Sequence, residues 1–384
     1  MSPYCSPWLD SDLELLRDST RKFFERECVP HDERWRRQHM PDREIWNKLG
    51  SMGLLCASIP EQYGGGGGNF AHEAVICSEQ ARAIVSSLSN NVHSGILAHY
   101  ILNFGSEAQK QRWLPKMATG ELVGAIAMTE SGAGSDLQGI RSSAVRQGDQ
   151  YLINGSKTFI TNGYHANLIC LVVKTDPTQR AKGVSLIMIE TQGLAGFRRG
   201  RLLDKIGQTG QDTAELFFDD MRVPAANLLG AEEGRGFVQL MEQLPRERML
   251  IALGAVATME RAVAETTAYV AERKLFGKRL LDMQNTRFKL AECQTIVTVA
   301  RNFVDNCVMR VLDGSLDVPT AAMAKWWTTQ MNCQVIDECL QLHGGYGYMS
   351  EYPIARLYAD CRVGKIYGGA NEVMKEIIAR DMEP

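Results

Sequence analysis

Tyr151-Leu152-Ile153-Asn154-Gly155-Ser156-Lys157-Thr158-Phe159-Ile160 sets β-favouring residues on either side of an Asn-Gly pair. Both central residues tolerate positive φ, so the spacing predicts a two-residue hairpin. Asn167 to Val173, Val184 to Glu190 and Glu215 to Arg222 are further strand candidates, separated by Gly, Pro and Asp. From about Gly124 to Glu233 the chain therefore reads as β structure. On both sides the periodicity turns helical. Upstream, Ser11-Asp12-Leu13-Glu14 has the spacing of a capping box, Leu13, Leu16, Phe23 and Phe24 share a face, and Pro30 marks a stop. Amphipathic stretches follow from Pro41 to Met52 and from Ala71 to Ile84. Between them, Tyr63 precedes five glycines, Gly64 to Gly68; with no Lys-Ser/Thr after it and no clear strand before it, the run reads as a flexible connection rather than a phosphate loop.

Downstream, Gly236 to Lys274 is one long periodic stretch, bent or interrupted near Pro245. Met283 to Leu312 and Pro319 to His343 are two more helices, and Asn371 to Met382 is a last one with Asn371 as its cap. No G-x-G-x-x-G follows a strand, which excludes a doubly wound dinucleotide fold. The expected architecture is α+β: a helical domain over 1–122, a β-sheet or barrel domain over 123–233, and a four-helix-bundle domain over 234–384.

The 384 residues are 45% hydrophobic and 23% charged, enough to bury a sizeable core. A net charge of −3 gives no sign of a nucleic-acid or acidic-membrane partner. The longest clean apolar run, Leu168 to Val173, is far short of the roughly 20 residues that span a bilayer. Met1 to Asp10 lacks a basic region followed by an apolar segment, so no signal peptide is evident. The ten cysteines are scattered without a Cys-x-x-Cys, which argues against a disulfide framework or zinc site and for a reducing compartment.

Four islands stand out. Ala127-Met128-Thr129-Glu130-Ser131-Gly132-Ala133-Gly134-Ser135-Asp136 is small enough for a backbone to approach a planar ligand, though most such loops are only turns. Lys157-Thr158-Phe159-Ile160-Thr161-Asn162-Gly163 is, taken alone, a strand with a threonine on its polar face. Glu272-Arg273-Lys274-Leu275-Phe276-Gly277-Lys278, with Gln284 beyond it, ordinarily reads as a solvated helix end. Gln341-Leu342-His343-Gly344-Gly345 could be a C-cap.

Together, in this order and with the α–β–α organisation, the four islands resemble the acyl-CoA dehydrogenase family across nearly the whole chain. The long-chain type is the nearest resemblance, on Gly124 to Thr129, Asp212 to Phe218, Phe303 to Cys307 and Ile366 to Gly369. The resemblance implies FAD, with Ile126, Met128, Thr129, Ser135, Phe159, Ile160 and Thr161 along the flavin and Ser135 also touching substrate. It assigns Arg273, Phe276, Gln284, Gln341, Gly344 and Gly345 to FAD held by a neighbouring subunit, Arg273 pairing with pyrophosphate. A shared site implies a homo-oligomer, in this family usually a tetramer. Electrons would pass to an electron-transfer flavoprotein.

The reaction needs a carboxylate to take the α-proton while hydride leaves the β-carbon for flavin N5. Most family members carry it in Ile-Tyr-Glu-Gly; this chain reads Ile366-Tyr367-Gly368-Gly369. The long-chain and isovaleryl types carry it on a helix instead, and the matching stretch is Leu244-Pro245-Arg246-Glu247-Arg248-Met249. A helical glutamate between arginines is usually a solvated ion pair. The glycine at 368 changes that, since it leaves room for a carboxylate from the helix side. Glu247 is thus the expected base, the Gly368 N–H an expected donor to the thioester oxygen, and Arg246, Arg248, Gly369 and Ser135 expected substrate contacts. Ala370 stands where relatives commonly have threonine, while Glu372 keeps the pattern of FAD contacts. His93 and His99 read as packing or polar-rim residues.

Other readings stay open: branched or terpenoid acyl-CoA substrates, an oxygen-reactive oxidase or monooxygenase, and a catalytically silent flavoprotein scaffold. The setting expected from the missing targeting segment is a bacterial-like cytoplasm, or a mitochondrial matrix for a processed chain.

Overall fold

The computed structural model describes residues 4–382; Met1 and Pro384, at the two ends of the sequence reading, lie outside them. The chain opens with α1 (Ser11–Glu27), α2 (Val29–Gln38), α3 (Glu44–Ser51) and α4 (Phe70–Arg82). A π-helical segment, Asn91–Leu97, runs straight into α5 (Ala98–Phe104), and α6 (Glu107–Ala118) follows. Two local expectations are corrected here. The cap of α1 is Asp10, whose carboxylate accepts from the Leu13 N–H at 2.9 Å, one residue earlier than the capping-box reading. Pro30 opens α2 rather than closing α1, in the first turn where its missing N–H costs nothing.

The glycine run is no loose linker. The N–H groups of Gly64 to Gly68 all donate to carbonyls between Cys56 and Glu61, and a Cβ at Gly65 would lie 2.2 Å from the Ile59 carbonyl oxygen. Close backbone approach, not flexibility, explains the composition.

The strands are β1 (Gly124–Ala127), β2 (Ser143–Gln147), β3 (Gln150–Thr161), β4 (Leu168–Lys174), β5 (Val184–Glu190), β6 (Phe197–Leu202) and β7 (Thr213–Pro224). They form one sheet in the order β1-β4-β2-β3-β7-β6, with β5 antiparallel along β4. Strand β4 is buried on both faces: Leu168, Cys170 and Val172 meet the helices of the first segment, and Ile169, Leu171 and Val173 meet the opposite core. That explains why its sequence is a continuous apolar run rather than an alternation.

The Asn154-Gly155 hairpin is also corrected. Strand β3 runs straight through the pair, and the turn lies at Gly148-Asp149, between β2 and β3. Asn154-Gly155 forms an irregularity against β7 instead. The Asn154 side chain donates to Asp220 at 3.0 Å and accepts from the Asp220 N–H at 2.8 Å. Gly155 has φ +143, and a Cβ there would sit 2.4 Å from Ser142 Oγ. Positive φ is found at Gly155 but not at Asn154, and Ser142, just before β2, passes close against the glycine. Gly155→Ala should therefore destabilise the protein by about 1–3 kcal/mol, read as a lower urea midpoint of the FAD-loaded enzyme with an unchanged slope.

Helix α7 (Gly236–Glu272) is 37 residues long and passes through Pro245 without a break. A short hairpin of β8 (Lys274–Leu275) and β9 (Lys278–Arg279) leads to α8 (Gln284–Leu312), then α9 (Val318–His343), α10 (Pro353–Cys361) and α11 (Asn371–Asp381). The core of this third segment joins α4, α7, α8 and α9 through residues such as Cys77, Leu253, Val304 and Ile336. The cap of α11 is Ala370, with no side-chain bond, so Asn371 does not cap it. The Asn371 side-chain oxygen accepts from Lys325 and Thr329 on α9 instead. Among the described residues no helix is long and apolar enough to cross a membrane.

Candidate active site

Glu247 lies on α7 and is only 6% exposed. The Tyr100 hydroxyl donates to its Oε1 at 2.8 Å. Burial pushes the carboxyl up to about 7, against the pull of that hydrogen bond and of Arg248 and Arg246. Burial beside this carboxylate also keeps the Tyr100 proton on its oxygen, so Tyr100 remains a donor. A carboxyl poised near neutrality has the character of a general base, unlike the solvated ion pair that its sequence neighbours suggest.

Arg248 is buried, and its Nε has no partner among the described residues. Such an orphaned donor beside Glu247 fits a polar ligand atom. Arg246 behaves differently, because it already has partners within the chain. Its guanidinium pairs with Glu73 at 2.6 Å, bonds the Gly95 carbonyl and lies over the Phe70 ring. Burial alone would raise Glu73, but Arg246, His99 and Ser58 hold it down at about 2. Arg246 is thus paired inward and also lines a groove along the first part of α7. His99 belongs to the same cluster, and His93 joins the Met117 carbonyl to the Gly124 N–H. Both histidines are structural.

Across from α7 lies the turn Gly368-Gly369, with φ of +63 and +94. A Cβ at Gly368 would fall 2.3 Å from Ile251 Cδ1, and Ile251 is one helical turn beyond Glu247. The helix that carries the carboxyl thus fills the space a side chain at 368 would need. The Gly368 N–H donates to no group among the described residues, leaving it open to a ligand oxygen. The groove, of about 590 Å³ and walled by Phe237, Met241, Pro245, Arg246, Leu316 and Val318, runs along the first part of α7, ahead of Glu247.

The residues assigned to a flavin fall into two groups. The first surrounds the end of β1 and the middle of β3. Lys157, fully buried, bonds the Met128 carbonyl at 2.9 Å and Glu130 at 2.8 Å, and the Thr158 N–H bonds the Thr129 carbonyl. These contacts lash the Thr129-to-Ser135 loop to β3. Phe159 rises on a register shift between Lys157 and Ile160, with φ +60 and 66% exposure. A left-handed, exposed aromatic costs of order 1–3 kcal/mol and makes sense as a platform for a planar ligand. Thr161 and Ile126 flank it half-buried, while the Ile160 side chain packs into the sheet and leaves only its backbone for a ligand. Nothing lies within 4 Å of a Cβ built at Gly132 or Gly134. Ser135 is exposed beside this open space. These features fit FAD.

The second group gathers at one end of the helical segment. Helix α7 ends there, α8 begins there with Gln284, and α9 ends there with Gln341, Gly344 and Gly345. Tyr269 stacks on His343 with ring centroids 4.3 Å apart, and Arg273 lies over Tyr346. Phe276 is 89% exposed, with φ +50. Glu372 sits in the first turn of α11, away from this group in sequence and exposed.

Sequence reasoning missed Tyr100, Ile251 and Lys325. Lys325 carried a signal: it occupies the same helix stripe as Ala321, Thr328, Thr329 and Asn332, all buried.

Family models described as the acyl-CoA dehydrogenase N-terminal, middle and C-terminal domains match residues 10–121, 125–221 and 234–383. The chain is 47% identical over 374 residues to the mitochondrial long-chain specific acyl-CoA dehydrogenase of Sus scrofa, covering 97% of this chain and 86% of that one. The crystal structure of an acyl-CoA dehydrogenase from Geobacillus kaustophilus superposes with a TM-score of 0.97 at 46% identity, over 99% of this chain and all of that one. A glutaryl-CoA dehydrogenase from Mycobacterium smegmatis, solved in complex with FADH2, superposes with a TM-score of 0.90 at 26% identity, over 97% of this chain and 95% of that one.

Proposed function

The chain belongs to the acyl-CoA dehydrogenase family, and from that premise we propose that Glu247 removes the α-proton, that Gly368 receives the thioester oxygen, and that the preferred substrate is long-chain. The reaction itself is FAD-dependent α,β-dehydrogenation of an acyl-CoA thioester. Bound FAD supplies the acceptor for the hydride that leaves the β-carbon.

The observation that carries the assignment of Glu247 is its burial against Tyr100, opposite a glycine turn whose vacant side-chain space is filled by the same helix. As the α-proton leaves, charge accumulates on the thioester oxygen, and a preorganised N–H there stabilises it. A bound acyl chain expels water, favouring a neutral carboxyl once the proton has been taken. The similarity to the long-chain enzyme of Sus scrofa supports the substrate class. Anaerobic bleaching of the flavin band by a panel of thioesters tests it: long-chain thioesters should bleach fastest, and a preference for short or branched ones would move the substrate.

At subsaturating substrate, where ionisation of the free enzyme governs the rate, flavin reduction should rise with pH through about 7, as Glu247 ionises. Tyr100 favours the carboxylate, so Tyr100→Phe should move this limb to higher pH. A limb displaced by about one pH unit leaves the variant about 10-fold slower at pH values below it and equal to wild type above it. An unmoved limb would separate Tyr100 from the base.

Two further readings belong to the same proposal. From Glu247 to Arg273, α7 extends about 39 Å at roughly 1.5 Å per residue, so the second flavin-contact group stands a helix length from the proposed base. This supports FAD shared between subunits of a homo-oligomer, a tetramer by the family resemblance. An electron-transfer flavoprotein is the proposed electron acceptor.

A further inference from the structure

Lys325 is fully buried on α9, in a position where a lysine has little reason to be. Taking an ammonium out of water is costly unless it is paired with an anion and hydrogen-bonded. Yet among the described residues Lys325 makes no salt bridge. Its Nζ has two oxygen partners, the Gly369 carbonyl at 2.6 Å and Asn371 Oδ1 at 3.0 Å. Both lie on the segment that carries Gly368. Burial and the neighbouring Arg248 charge depress its pKa to about 8 against a smaller pull from Glu372, which forms no ion pair with it, so the placement remains unfavourable for the group itself.

The rest of the grip has the same target. Thr329, one turn along α9, bonds Asn371 Oδ1 at 3.2 Å, and Asn371 Nδ2 donates to the Trp326 carbonyl. Thr329 also sets the floor under Gly364, 3.3 Å from where a Cβ would stand. Helix α9 thus holds the Gly364-to-Asn371 segment along one stripe. The segment needs holding, because Gly368 and Gly369 both lie at positive φ and have no side chains to fix them. Glycine there gives the backbone its shape and also the freedom to lose it.

We propose that Lys325 is a positioning residue for catalysis: by fixing the Gly369 carbonyl it aims the Gly368 N–H at the thioester oxygen. The inference rests on the reading of Gly368 as that donor. Lys325 touches neither substrate nor FAD in this scheme. It acts through one peptide unit, where a displacement of about 1 Å can cost about 10²-fold in rate.

The test uses the FAD-loaded enzyme and trans-2-enoyl-CoA isotope-labelled at the thioester carbonyl, a product that does not reduce the flavin. The infrared carbonyl stretch of the bound thioester reports polarisation by the donor. In wild type it should shift to lower frequency than in solution. Lys325→Met, close in volume, should return most of that shift and slow flavin reduction by saturated acyl-CoA by about 10²-fold, with little change in enoyl-CoA affinity. Thr329→Val, which loosens Asn371 but leaves the lysine on Gly369, should keep most of the shift. Glu247→Gln should keep the shift while losing reduction.

A wild-type stretch in Lys325→Met would overturn the proposal, even if that variant were slow, because a merely structural lysine would affect rate or stability without moving the carbonyl. If Lys325→Met does not retain FAD, Lys325→Gln is judged by the same stretch. No shift in wild type would remove Gly368 as donor, and the proposal with it. Undiminished reduction by Glu247→Gln would overturn the base alone and leave the Lys325 result standing.

Discussion

Glu247→Gln should bind acyl-CoA but reduce its flavin about 10²- to 10⁴-fold more slowly than wild type, the span expected when a general base is removed. The amide is almost isosteric and can still accept from the Tyr100 hydroxyl, so the 2.8 Å contact and the packing around α7 persist. What disappears is the ability to take a proton. Stopped-flow measurement of flavin bleaching under anaerobic conditions separates this from a binding defect, since saturation by substrate should remain. A variant that reduced its flavin at the wild-type rate would sink the assignment, and the scaffold reading would return. The same experiment with Arg246→Met makes a useful contrast. Arg246 is paired with Glu73, so its loss should leave a buried carboxylate without its main partner and lower stability more than it lowers the chemical rate.

Gly368→Ala is expected to be nearly as damaging, for a different reason. The added methyl enters a backbone at φ +63 and meets Ile251 Cδ1 at 2.3 Å. Either Ile251 swings away or the turn shifts, and a shift moves the N–H that the thioester oxygen needs. Flavin reduction should fall by about 10²-fold. Ile251→Val removes the obstructing carbon and alone costs about 0.5–1.5 kcal/mol of stability. Combined with Gly368→Ala, it should recover a substantial part of the lost rate. This non-additivity is the diagnostic result, because distant or independent sites would simply multiply. Equal rates for Gly368→Ala with and without Ile251→Val would mean that backbone strain, not the helix, is what excludes a side chain.

The sequence was most informative where chemistry and composition coincided. The glycine at 368 and the glutamate at 247 were legible as a pair because each is odd without the other. The long helices were legible because their apolar periodicity is sustained, and Pro245 could be absorbed into one of them. Short-range signals fared worse. Asn154-Gly155 has the composition of a turn, but its glycine serves the approach of Ser142, a contact set by strand order rather than by neighbours. Gly64 to Gly68 looked loose and is hydrogen-bonded throughout. Asn371 looked like a cap and faces Lys325 instead. Tyr100 and Ile251 were invisible for the same reason: a tyrosine in a helix and an isoleucine in a helix are ordinary until the fold sets one against Glu247 and the other against Gly368. The partner of Arg246, Glu73, was invisible too, being 173 residues away.

The π-helical segment Asn91–Leu97 has a meaning best put in terms of insertion and deletion. A π turn houses one more residue than an α turn, so everything after it is rotated relative to a regular helix of the same origin. Tyr100 comes three residues later and points at Glu247 from that rotated frame. Winding this segment as a regular α-helix with its residue count unchanged would be an improvement by local criteria. It would also turn Tyr100 by about 100° around the axis, away from the carboxyl. The extra residue and the wide turn are therefore matched: the turn absorbs one more in the count, and Tyr100 keeps its aim at Glu247 because of it.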